Sequence, residues 1–112
     1  MESLTTGMGE REAVAVGLGH EAVVSGILET AFETDRELEA MKLGRETRTA
    51  SQQMGRQVIR LAANQQARHP LIEDYYEAVE AEWTPGHLAV TVGFTLAAAG
   101  WSKEETSAAF LC

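Results

Sequence analysis

The chain is short of several things, and each shortage removes a class of explanation. Its 112 residues hold one cysteine, Cys112, so no intramolecular disulfide can form and a secreted disulfide scaffold is excluded. A reducing cytoplasm is the expected setting. Bases are few, nine against 17 acids, and a formal charge of −8 argues against a protein that works by neutralising nucleic-acid phosphates. Glu2, Glu10, Arg11 and Glu12 break any apolar run that a signal peptide would need. The longest apolar stretch, Leu88 to Ala99, is interrupted by threonines and glycine and is too short for a bilayer, so no membrane association is expected. No phosphate-binding loop of the G-x-x-x-x-G-K-[ST] type is present, and none of the five serines sits in a nucleophile elbow.

What remains reads as helix. Aromatic residues make up 6% of the chain and alanine is abundant in its second half, a composition suited to close helix contacts. Met1 to Gly9 lacks periodicity and is expected to be a loose lead-in, with a single helical domain over 10–112. Residues 11–31 carry apolar side chains at helical spacing, with a break expected near Gly17 to Gly19. Thr34 and Glu37 have the spacing of a capping box, which predicts a short helix over 35–43. Ala50, Met54, Val58, Leu61 and Gln65 define the apolar side of a helix over 46–68. Pro70 stops that helix and opens another. Thr84-Pro85 reads as a cap and first turn for an almost wholly apolar helix over 85–99, closed by Gly100. Ser102 to Glu105 is a second capping box, for a last helix over 103–112. Phe110-Leu111-Cys112 ends on an uncapped apolar stretch, which leads to the expectation that a longer protein continues there. The fold class is therefore all-α, a bundle of five to six helices.

Charge is distributed in blocks. Residues 1–44 carry nine acids and three bases, 45–68 five bases and one acid, and 71–84 five acids and no base. At about 100° per residue, Arg45, Arg48, Gln52, Arg56 and Arg60 fall within a face of about 120°, opposite Met54 and Leu61. Two readings are open. The acidic stripe Glu73, Glu77 and Glu80 of the following helix can answer these arginines internally. Alternatively, the five residues form a docking face for a carboxylate-rich partner, where the guanidinium fork supplies selectivity. Gly93, Ala97 and Gly100 would let a second helix approach closely, from this chain or another subunit, and Trp83 and Trp101 are either core edges or interface anchors.

Catalytic and metal chemistry find little support. His20, His69 and His87 lie on three segments and none pairs at i+3 or i+4 with another histidine or with cysteine. Neither catalytic nor cofactor residues are expected, and no metal set. The competing reading from another class is a small helical enzyme or metal binder using His87 with nearby carboxylates; a third is a truncated remnant that folds poorly.

Three stretches taken together resemble one family. They are Glu46-Thr-Arg48-Thr-Ala-Ser51-Gln-Gln-Met54-Gly55-Arg56-Gln; Leu61-Ala62; and Pro85-Gly86-His87-Leu88-Ala-Val90 continuing through Gly93 and Gly100-Trp101 to Phe110-Leu111. Their order and spacing, from about Asp35 to Leu111, are similar to the UreF urease accessory proteins. Those proteins are about twice as long, and residues 1–20 match them poorly. The resemblance implies a truncated UreF-like helical fold and a cytoplasmic adaptor that forms homodimers. Its implied partners are UreD (UreH), the GTPase UreG and apo-urease, in a complex that supports nickel delivery.

Overall fold

The computed structural model describes residues 2–40, 45–65 and 69–111, and side chains within 12–40, 46–65 and 69–109. Six helices follow in order: α1 (Glu2–Ser25), α2 (Leu28–Ala40), α3 (Arg45–Ala63), α4 (Pro70–Glu80), α5 (Leu88–Ala98) and α6 (Lys103–Leu111). No strand occurs among the described residues. The helical backbone of α1 includes residues 2–9.

α5 is the centre of the bundle. Its sequence is apolar on nearly every side, and α1 and α3 pack on it most extensively, with α2, α4 and α6 completing the surround. The α1–α5 contact is set by two glycines. A Cβ on Gly93 would collide with the Val16 carbonyl of α1, and one on Gly19 would collide with the Val90 carbonyl of α5. The close approach foreseen for Gly93 is thus taken up within this chain. It also explains why α1 runs unbroken through Gly17 and Gly19, where a break was expected: backbone packing there outweighs the glycine penalty of about 1 kcal/mol. The chain turns instead at Gly26, whose φ of 76° suits a residue without a Cβ.

Two expected caps prove otherwise. Thr34 is not an N-cap; it lies inside α2, and its hydroxyl donates to the Thr30 carbonyl one turn back. Thr84 does not cap α5, which begins four residues later at Leu88, behind His87; its hydroxyl donates to a carboxylate of α2. The signals at the other ends act as read. Pro70 occupies the first position of α4 behind His69, whose Nδ1 accepts from the Leu71 amide. Ser102 and Glu105 form a reciprocal capping box, each side chain accepting from the other's amide.

α4 and α5 end in the same way with different residues. After α5, Gly100 has φ 95°, its amide donates to Ala97 and the Trp101 amide donates to Leu96. After α4 the equivalent left-handed position is Glu82, φ 62°, with its amide on Val79 and the Trp83 amide on Ala78. Both are Schellman motifs, but only the second places a side-chain-bearing residue where glycine is usual.

The apolar side of α3 is also displaced from its expected position. Met54 and Leu61 are more than half exposed, whereas Ile59 and Gly55 are buried. The inward stripe runs Ser51, Gly55, Ile59, Ala62, because a Cβ on Gly55 would meet the Gly86 carbonyl. Backbone proximity, rather than the largest apolar side chains, sets the rotation of this helix.

Candidate functional site

The chemistry-bearing side chains gather around the α4–α5 connection. Asp35 of α2 is fully buried and is the hub. Its Oδ2 accepts from the Tyr75 hydroxyl of α4, from Thr84 Oγ1 at 2.8 Å and from the Gly86 amide at 3.2 Å; its Oδ1 accepts from the His87 amide at 3.0 Å. Tyr75 in turn stacks on Phe94 of α5, with ring centroids 4.7 Å apart.

A second polar chain leads outward from His87. The Leu88 amide donates to Ser51 Oγ at 3.1 Å, and Ser51 Oγ lies 3.0 Å from His87 Nδ1. His87 Nε2 is 2.9 Å from Glu39 Oε1, which also accepts from Gln52 Nε2 at 2.7 Å. Because the carboxylate only accepts, a neutral His87 ring carries its proton on Nε2 and accepts a hydrogen bond from the Ser51 hydroxyl at Nδ1. The amides at the start of α5 are therefore satisfied by side chains from α2 and α3, and the carboxylate stands at the positive end of the helix dipole.

Burial raises the pKa of Asp35 above its ordinary value, the largest influence, while the hydroxyl and amide donors and His87 pull it down. Tyr75 is pushed well above its ordinary value, by burial first and then by the adjacent Asp35 charge. It consequently keeps its proton and remains a donor.

Beside this network a polar recess of about 370 Å³ opens, lined by Glu39, Gln52, Arg56, Glu82, Thr84 and Pro85. The residues of the expected arginine face divide here. Arg60 pairs with Glu80 of α4 at 3.1 Å, the internal answer from the acidic stripe. Gln52 is held by Glu39. Arg48 and Arg56 have no ionic partner among the described residues, and Arg56 Nε is buried without an acceptor. The side chain of Arg45 lies outside the described residues. The face borders the buried stripe through Ser51 and Gly55, so Arg48, Gln52 and Arg56 are half-buried.

The three histidines occupy structural positions. His20 Nε2 donates to the Trp101 carbonyl at 2.7 Å, His69 caps α4, and both ring nitrogens of His87 are engaged. Among the described residues no three His, Cys, Asp or Glu side chains gather in a metal-holding group. Trp83 and Trp101 are exposed, at 68% and 43%. No helix is long and apolar enough to cross a membrane among the described residues. The hub itself was missed in the sequence. Asp35 looked like the first turn of a short helix, and its partners stand 40 to 52 positions away.

Fold and site together define an all-helical scaffold whose buried polar groups tie helices to one another and leave a charged recess at the surface. The family model of UreF matches residues 1–112, and the chain belongs to the UreF family. It is 25% identical over 95 residues to the urease accessory protein UreF of Actinobacillus pleuropneumoniae serotype 5b (strain L20), and 26% identical over 95 residues to that of serotype 3 (strain JL03). Each alignment covers 85% of this chain and 41% of the relative, so the chain spans less than half the length of these curated relatives. No solved structure matches it.

Proposed function

We propose that this chain serves urease maturation as an adaptor, holding a UreD (UreH) protein and the GTPase UreG together while nickel is delivered to apo-urease in the cytoplasm. The match to UreF across residues 1–112 carries this reading. Nickel in this scheme is cargo that passes between other proteins, and the chain does no bond-making chemistry. His20 Nε2, His69 Nδ1, both ring nitrogens of His87 and the buried Asp35 carboxylate are engaged in holding or capping helices, which suits a binding role.

The docking face is the outer side of α3, from Arg45 through Arg48, Gln52 and Arg56 to Arg60. With Gln52 held by Glu39 and Arg60 paired with Glu80, the cationic groups of this face left for a partner carboxylate among the described side chains are Arg48 and Arg56. An arginine not already paired forms a forked bond with an incoming carboxylate without first breaking an internal one.

Co-expression of the tagged chain with UreD, UreG and urease subunits tests this. The unaltered chain is expected to co-purify with UreD and UreG, and charge reversal at Arg48 and Arg56 to reduce recovery by roughly tenfold or more, as loss of charged interface contacts does. Unchanged recovery removes the docking face. No co-purification of the unaltered chain removes the adaptor reading.

A further inference from the structure

We propose that the recess between α3 and the α4–α5 connection receives an oppositely charged pair of side chains from a partner protein, a carboxylate against Arg56 and a lysine or arginine against Glu82. The inference rests on the adaptor reading and specifies the chemistry of one contact within it.

The first observation is how charges are used around the recess. Arg60 and Glu80 pair with each other, and Glu39 accepts from both Gln52 and His87. Arg56 and Glu82 line the same recess, yet neither has an ionic partner among the described residues. Two opposite charges sharing one concavity without closing on each other leave a separated positive and negative pole. A ligand with one sign of charge satisfies one pole and is repelled by the other; a pair of opposite charges satisfies both.

The second observation is the backbone at Glu82. The left-handed position costs a side-chain-bearing residue on the order of 1 kcal/mol, and the matching turn after α5 uses glycine. The side chain is held at a strained position on the lip of a recess, where strain is a pointer to function. Third, the walls are preorganised. Thr84 is tied to Asp35 by its hydroxyl, Gln52 to Glu39, and Arg56 Nε is packed in without an acceptor, so the guanidinium is positioned before any partner arrives.

A phosphate group fits poorly, because Glu39 and Glu82 both face it across the recess. The occupant to which the charges point is an extended segment of protein with an acidic residue next to a basic one.

The test is a chemical-shift titration of the full chain, following the Arg56 Nε–H signal. The probes are the capped dipeptide acetyl-Glu-Lys-amide, its neutralised forms acetyl-Gln-Lys-amide and acetyl-Glu-Gln-amide, and inorganic phosphate. The doubly charged peptide is expected to bind in the millimolar range, with about a fivefold loss when either charge is removed. Glu82→Gly is the decisive variant. It relieves the left-handed strain, so the fold is expected to become more stable while the preference for the lysine-bearing peptide disappears. The proposal is overturned by no shift up to about 20 mM peptide, by equal binding of the neutralised peptides, by stronger binding of phosphate, or by an unaltered preference in Glu82→Gly. None of these results bears on whether the chain co-purifies with UreD and UreG, so the two readings fail separately.

Discussion

At the scale of single residues, Asp35 carries the most consequence. It is a buried carboxylate surrounded by four donors, one from α4 and three from the α4–α5 connection, and only an acceptor-rich group fits there. Asp35→Ala leaves those donors facing one another and is expected to lower stability by about 3–5 kcal/mol in urea unfolding. Asp35→Asn removes the buried charge but turns an NH2 toward hydroxyls and amides that also donate, so a loss of about 2 kcal/mol is expected. The pH dependence follows from the direction of the shift. Since burial raises the folded-state pKa, the native chain retains a proton that the unfolded chain has already released. Stability contributed by Asp35 therefore falls as pH rises from the ordinary aspartate value of 3.8 through the raised one, and is level above it. The stability gap between the native sequence and Asp35→Asn should narrow over that window. A gap that widens with pH contradicts the assignment. Glu82 is the opposite case: Glu82→Gly is expected to stabilise the chain by about 1 kcal/mol, read as a rise in melting temperature.

At the scale of elements, the decisive contacts are made by backbone. Gly93→Ala gains up to about 1 kcal/mol in helix propensity, but the new methyl meets the Val16 carbonyl, and forcing α1 away from α5 costs more, about 1–3 kcal/mol. A net loss is expected. Gly26→Ala meets nothing within 4 Å and bears only its positive φ, so its loss should be the smaller of the two in thermal unfolding. The same contrast explains what could be read in advance. Pro70, Gly100 and the Ser102–Glu105 box mark real helix ends, because each signal acts within one turn of the residues it caps. Thr34 and Thr84 carry the same local signature but serve other ends, Thr34 bonding back along its own helix and Thr84 reaching a carboxylate 49 positions away. The rotation of α3 was illegible for a related reason. Ser51 and Gly55 face inward because Leu88 and Gly86 approach them, and nothing in the spacing of Met54 and Leu61 announces that. Within the arginine face, the spacing placed Arg48, Gln52, Arg56 and Arg60 on one side of α3, while the division into paired and unpaired groups depended on α2 and α4.

At the scale of the whole molecule, a strongly acidic chain sets Arg48 and Arg56, two arginines without an ionic partner among the described residues, on one face beside a preorganised recess, and places Asp35, Thr84 and His87 in the joints between helices. An adaptor of this design works only if that face meets a partner. The most direct measurement is hydrogen exchange of the chain alone and in complex with UreD and UreG. Slowed exchange centred on α3 and on residues 81–87 is the result expected. Protection confined to α1 and α6, with α3 and the α4–α5 connection exchanging as in the free chain, contradicts it.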